Sequence, residues 1–347
     1  MTTTQVQPAA LKVTTGAAYG RILGIGGYRP SRVVDNAEIC TMIDSSDEWI
    51  KTRSGILERR WAEPHETVQM MAVEAARKAL ARAEIAPEQI DCVIVSTVTH
   101  FHQTPAIATR IAAAVGAKGA AAFDIGAARA GFCYATALAD SMIRTGTAKY
   151  VLAIGAERLS DLTDKHDRTT AFLFADGAGA AVIGPSDSPA IGPVAWGSDG
   201  DQADLIVQTN AWDAAILQAE AGQDAGASGR AVLRMDGNPV FKWAAYTIAK
   251  VAADAMERAG VTAETLDVFA PHQANMRIVD AMARTLRLPE RVVIARDIAH
   301  QGNTSAASIP LALEALIESR QVHLGQTCLI IGFGAGLVYA GQVIVLP

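Results

Sequence analysis

The sequence predicts an α/β protein made by repeating one βαβαβ unit, each copy a mostly parallel sheet covered on both faces. Three observations predict it. Short apolar segments alternate with amphipathic helical patterns along most of the 347 residues. Three pairs of segments recur in the same order, 173 to 177 residues apart. A helix pattern with almost no polar side opens directly behind a strand and a run of small residues.

Taken in order, residues 1–17 are Thr-rich and lack a basic start or an apolar core. They read as a disordered tail, not a signal peptide. Val68 to Ala83 is an amphipathic helix with Met71, Val73, Ala76, Leu80 and Ala83 inward and Glu74, Arg77, Lys78 and Arg82 outward. Cys92–Val95 is a strand, Thr104–Val115 a helix and Ala120–Ile125 a strand. From Ala130 to Ile143 the residues Phe132, Cys133, Tyr134, Ala137, Leu138 and Met142 describe a fully buried helix, followed by a strand over Val151–Ile154. Pro185–Ser228 has little periodicity and reads as an irregular linker, with Asp213–Arg230 its mobile part. Then come a helix over Phe241–Ala259 and a strand over Val268–Ala270. Met276–Leu286 is a helix, Val292–Ala295 a strand, Ala306–Glu318 a helix and Thr327–Ile331 a strand. The two halves span 18–190 and 191–347. Leu329 to Leu346 is nearly uncharged, but Gly332, Gly334, Gly336, Gly341 and Gln342 interrupt it. Two buried strands and a Gly-rich turn explain it better than a membrane span.

The repeat pairs are specific. Asp91-Cys-Val-Ile-Val-Ser96 matches Asp267-Val-Phe-Ala-Pro-His272, Asp124-Ile125 matches Asp297-Ile298, and Tyr150-Val-Leu-Ala-Ile-Gly155 matches Thr327-Cys-Leu-Ile-Ile-Gly332. Half the residues are apolar, enough for a large core. A net charge of −6 argues against nucleic acid as the main partner. The four cysteines have no CxxC spacing and sit in apolar contexts. That suits a reduced, cytoplasmic protein and argues against zinc.

Strand, tight turn and buried helix form an elbow at Phe123-Asp-Ile-Gly-Ala-Ala-Arg-Ala-Gly-Phe132. A helix N-terminus there stabilises a thiolate and offers N–H groups to an oxyanion. Yet the turn residue is Arg129, which is neither nucleophile nor base at ordinary pH. His272 follows a strand at its carboxyl end, where open sheets place ligands; a buried capping histidine is the plainer explanation. Asn303, one residue beyond the repeat counterpart of Arg129, is a helix cap or a site residue. The Gly332-Phe-Gly-Ala-Gly336 run is a tight turn or a backbone oxyanion site at Gly334 and Ala335. The repeat puts His272, Asn303 and residue 129 at the ends of equivalent strands, so they converge.

These residues, with Ser46-Asp-Glu-Trp-Ile50, Arg53-Ser-Gly-Ile56 and Phe174-Ala-Asp-Gly-Ala-Gly179, resemble the β-ketoacyl-acyl-carrier-protein synthase III family from about Tyr19 to Pro347, most like its actinobacterial branch. The resemblance implies a thiolase-like fold in α-β-α-β-α layers, a homodimer, and a Cys–His–Asn triad. In that triad acyl-CoA acylates the Cys, and His and Asn promote decarboxylation of malonyl-carrier protein. His272 and Asn303 match the second and third members. The family's Cys-Ala-Gly-Phe reads Arg129-Ala-Gly-Phe132 here. Trp49 and Arg168 match positions that sandwich the CoA adenine, and Arg53 and Asn238 match positions lining the CoA channel. Gln273, Ala274, Asn275, Met276 and Arg277 match the carrier-protein contact. CoA thioester is implied as substrate, with no further cofactor.

Arg129 leaves three accounts open. It replaces the nucleophile and blocks acylation; or it pairs with a substrate carboxylate in a non-covalent reaction; or Cys133, one turn along the helix, takes over. A non-enzyme alternative is a silent homologue that binds acyl-CoA or carrier protein.

Overall fold

The computed structural model describes residues 11–213 and 231–347. The first ten residues of the expected tail, and 214–230 of the segment expected to be mobile, lie outside the described residues. The tail ends sooner than expected. Gly16 and Ala17 donate to the carbonyls of Arg144 and Ile143, and the Thr14 hydroxyl bonds Thr145, tying 14–17 to a helix end.

Strands β4 (Cys92–Ser96) and β6 (Val151–Arg158) are apolar runs buried almost throughout, as central parallel strands must be. β5 (Ala121–Ile125) lies parallel to β4 at one edge. β7 (Asp176–Ser186) and β1 (Tyr19–Tyr28) continue the other side antiparallel, giving the order β5-β4-β6-β7-β1. The second sheet uses β12 (Val293–Ile294), β11 (Val268–Pro271), β13 (Thr327–Gly334), β14 (Val338–Val345) and β8 (Ala195–Ser198), in that spatial order. Its directions match: two parallel pairings, then two antiparallel ones. The duplication read from three segment pairs therefore extends to five strands per copy.

Helices α5 (Gly131–Thr145) and α10 (Ser308–Glu318) lie between the sheets. Phe132, Cys133 and Ile143 of α5 share one core with Ile309, Leu313 and Leu316 of α10, Ile94 and Ile183 of the first sheet, and Ile330 and Ile344 of the second. α3 (Val68–Ala83) and α4 (Ile107–Val115) cover the outer face of the first sheet. α6 (Gly237–Lys242) and α7 (Ala249–Arg258), joined through a π turn at Trp243–Ile248, cover the second together with α8 (Met276–Thr285). The result is the five-layer α-β-α-β-α stack. Among the described residues no helix is long and apolar enough to cross a membrane. The apolar C-terminal stretch forms β13 and β14, in agreement with its reading as two buried strands.

The linker is more ordered than its composition suggests. It supplies β8, and its β9 (Ile206–Gln208) pairs with β10 (Leu233–Met235). A cap made of α1 (Asn36–Cys40), α2 (Asp47–Ser54), the β2–β3 ribbon (Arg32–Asp35 and Glu58–Trp61) and residues around Phe172 has its own core, including Ile50, Trp61 and Phe174. Ser46 caps α2 by accepting the Trp49 N–H at 3.2 Å. That cap sets where Trp49 points.

Candidate active site

Two elbows meet across the pseudo-twofold. Behind β5 a 3-10 turn over Ala128–Ala130 leads into α5; behind β12 the turn Ser305–Ala307 leads into α10. Ala128 (φ +43°) and Ser305 (φ +50°) both hold the left-handed backbone that non-glycine residues rarely adopt. They are therefore equivalent, and the structural counterpart of Arg129 is Ala306. This corrects the register read from sequence. The second connection carries an extra short helix, α9 (Ile298–Gln301), which pushes Asn303 ahead of the elbow, opposite Gly126 instead. Glycine is required where each elbow crosses the other copy. A Cβ on Gly155 would lie 2.2 Å from the Ala306 carbonyl oxygen, and one on Gly332 would lie 2.6 Å from that of Arg129.

Arg129, His272 and Asn303 line one cavity of about 720 Å³, together with Trp49, Arg53, Arg168, Asn238 and Gly334. The convergence expected from the repeat is what the structure has. Ala335 does not line this cavity.

His272 is fully buried at the end of β11, its backbone N–H on the Ile331 carbonyl. Its Nδ1 lies 2.7 Å from Ser308 Oγ. That hydroxyl also accepts the Gln273 N–H and, among the described residues, finds no acceptor but Nδ1; with its proton given there, the ring proton sits on Nε2. Nε2 is buried without a partner among the described residues, and Phe333 packs edge-on to the ring at 5.4 Å. Burial, then the charge of Arg129, pushes the imidazole well below its usual pKa of 6.5, so it is neutral at pH 7.

Asn303 has a fixed amide. Its Oδ1 accepts the Ser305 N–H at 3.0 Å, and its Nδ2 donates to the Ala274 carbonyl at 3.2 Å. One Nδ2 hydrogen remains for a ligand. Asn303 therefore braces the turn through its oxygen and lines the cavity.

Arg129 is 5% exposed. Its aliphatic stem runs over Gly334. A Cβ on that glycine would lie only 2.8 Å from Arg129 Cδ, so the stem packs on the face of Gly334 where a side chain would stand. The guanidinium lies 5.6 Å from the Phe174 ring centre. Burial lowers its pKa to about 10, with Glu157 acting in the opposite sense, so it is charged at pH 7. Its Nη2 is buried without a hydrogen-bond partner among the described residues.

Cys133 carries no nucleophile role. It is fully buried in the core between the sheets, and burial pushes its thiol up to about 12. Gln273 is corrected as a surface contact: it is 1% exposed, and its side chain bonds the Pro271 and Ala295 carbonyls and the Ile298 N–H. Ala274, Asn275 and Met276 are partly exposed and Arg277 is exposed. At the cavity mouth Arg168 stacks on Trp49 at 5.0 Å, and Phe172 meets the same ring edge-on.

Sequence reasoning missed two residues. Ser308 stands five residues after Asn303, but only folding brings its hydroxyl to His272. Glu157 ends the buried strand β6, and a lone acid after an apolar run was the available signal. Burial raises Glu157 to about 7, against the Val98 N–H, the Thr99 hydroxyl and the charge on Arg129.

Two stacked copies of a five-stranded sheet, with paired central helices opening at a shared cavity, define a thiolase-like enzyme fold. Models of the 3-oxoacyl-[acyl-carrier-protein] synthase III family match residues 123–200 and, for its C-terminal part, 256–346. The chain is 56% identical over 340 residues to β-ketoacyl-[acyl-carrier-protein] synthase III 1 of Streptomyces coelicolor, covering 97% of this chain and 99% of the relative. It is 50% identical over 327 residues to the synthase III of Mycobacteroides abscessus, covering 94% of each. A solved priming β-ketosynthase of a polyketide pathway superposes with a TM-score of 0.93 at 47% identity, covering 98% of this chain and 99% of that one. The synthase III of Aquifex aeolicus superposes at 0.85 with 39% identity, covering 94% and 99%. The chain belongs to the 3-oxoacyl-[acyl-carrier-protein] synthase III family, whose members are acyl-transferring condensing enzymes.

Proposed function

We propose that this protein binds acyl-CoA and malonyl-carrier-protein thioesters and decarboxylates the malonyl group, while Arg129 at the nucleophile position prevents the acyl-enzyme that condensation needs. The observation that carries the reading is the pair of neutral donors, His272 Nε2 and Asn303 Nδ2, facing one cavity. Loss of carbon dioxide leaves an enolate on the thioester oxygen. Two fixed N–H groups stabilise that oxygen as charge develops, without reorganisation. The test is turnover of malonyl thioesters by the intact chain: release of carbon dioxide without a covalent adduct supports the reading. No turnover, with thioester still bound, favours a silent binding homologue. The stem of Arg129 across Gly334 favours that second reading for acyl transfer, since it fills the space beside the glycine run where an oxyanion would sit.

Trp49 and Arg168 are proposed to take the adenine between them, with Arg53 and Asn238 along the channel. Arg168 lies 5.0 Å over the Trp49 ring, so both offer a planar face to a base. Trp49→Ala removes one stacking face. CoA affinity in calorimetry should fall roughly tenfold, about the 1–3 kcal/mol of one stacked base. A change under about twofold would remove Trp49 from the CoA site.

An acidic carrier protein needs a basic face on this acidic chain. Arg277 lies in the first turn of α8 and over the Phe241 ring at 5.5 Å, beside the partly exposed Ala274, Asn275 and Met276. Arg277→Glu should raise KM for malonyl-carrier protein at least about fivefold, most at low salt, and leave malonyl-CoA unaffected. Equal effects on both substrates would make Arg277 a thioester contact instead. The free edge of β5, half-exposed along Ala122–Ile125, is the proposed seam of a homodimer.

A further inference from the structure

We infer that Arg129 is the receptor for the terminal carboxylate of a dicarboxylic acid half-thioester carried on CoA. The inference rests on the proposed CoA-binding mouth and names which thioester the depth of that cavity prefers.

The guanidinium is a buried charge with nothing to neutralise it at contact distance. Among the described residues it makes no ion pair, and its Nη2 has no hydrogen-bond partner. The groups nearest it do not supply an anion at contact distance, and Asp236, the acid among the lining residues, makes no ion pair with it. His272 is neutral, Asn303 is an amide, Gly334 offers only backbone, and Phe174 offers a ring face. A buried unpaired charge is costly, and the strong remedy is a carboxylate on the guanidinium fork. A neutral acyl chain ending at this point would leave the cost in place. A half-thioester of succinic or glutaric acid removes it, with the nucleotide at Trp49 and the carboxylate at the base.

Glu157 grades the effect. Its carboxyl acts on Arg129 through space, and its Oε1 is buried without a hydrogen-bond partner among the described residues. The groups facing it are the Val98 N–H and the hydroxyls of Thr97, Thr99 and Ser305, all uncharged, and the charge of Arg129. Below about pH 7 Glu157 is neutral and does not offset the charge of Arg129. Above it, ionised Glu157 offsets part of that charge. A ligand carboxylate therefore binds more tightly on the acid side and more weakly on the alkaline side, while neutral thioesters are indifferent.

The experiment is calorimetry on the full chain with two pairs of equal length, succinyl-CoA against pentanoyl-CoA and glutaryl-CoA against hexanoyl-CoA, whose acids are not open to the decarboxylation proposed for malonyl. The expected result is that at least one carboxylated ligand binds about tenfold or more tightly than its neutral partner. The preference should shrink from about pH 6 to about pH 8, and shrink less in Glu157→Gln. In Arg129→Gln the partners should bind alike, and pentanoyl-CoA binding serves as the check that the variant is folded. Equal affinity within both pairs for the unaltered chain overturns the carboxylate receptor and leaves the CoA reading intact. Absence of binding by all four overturns the CoA reading and this inference with it.

Discussion

Replacing Arg129 with Cys should create an acyl-enzyme: incubated with acetyl-CoA, the variant gains one acetyl mass, and the unaltered chain gains none. Position 129 sits in the 3-10 turn that feeds the N-terminus of α5. There the helix dipole favours a thiolate, in contrast to Cys133, whose thiol burial holds at about 12. The substitution also removes the charge that helps depress His272, and clears the face of Gly334 on which the arginine stem packs. A nucleophile at a helix N-terminus would then share the cavity with the His272 and Asn303 donors. Condensation of acetyl-CoA with malonyl-carrier protein should rise on the order of 10³-fold or more, the scale on which covalent nucleophiles act. A folded variant that binds CoA yet shows no adduct by intact-mass spectrometry would remove residue 129 from the acyl-transfer role.

How far the sequence could carry this site depends on which contacts are local. β4, β6, β11 and β13 were legible because buried parallel strands read as apolar runs. β1 and β7 were not, because they are rich in glycine. In β1 a Cβ on Gly26 would lie 2.4 Å from the Ala75 carbonyl oxygen of α3, so close helix–sheet packing erased the pattern a strand shows. β8 hid in a segment whose composition resembled a loop. Within the site, His272 and Asn303 were legible from motifs and from the repeat, but the exact pairing across the repeat was not. Two left-handed residues, Ala128 and Ser305, fix the equivalence, and backbone angles leave no trace in an alanine. Gln273 looked like a surface residue because neighbours in sequence do not reveal that its amide is committed to Pro271, Ala295 and Ile298. Ser308 meets His272 only because α10 starts at the end of β11 in space.

That Ser308 contact makes the second large effect specific. His272→Ala should lower malonyl-pantetheine decarboxylation by about 10²–10³-fold, the cost of losing one fixed oxyanion donor, roughly 2.7–4 kcal/mol. The loss should fall on kcat, since the donor meets charge that exists only as carbon dioxide leaves. The pH profile separates donor from base. His272 is neutral because burial and Arg129 hold its pKa well below 6.5, so an inflection near pH 7 should trace to Glu157 and disappear in Glu157→Gln. Ser308→Ala should give a smaller loss, about tenfold, because the ring survives and only its tautomer is released. The order of the two variants is the decisive comparison. If Ser308→Ala costs as much as His272→Ala, the hydroxyl is holding the elbow together and not orienting a donor. If His272→Ala decarboxylates at the original rate, the neutral donors do not meet the enolate, and the cavity binds thioesters without acting on them.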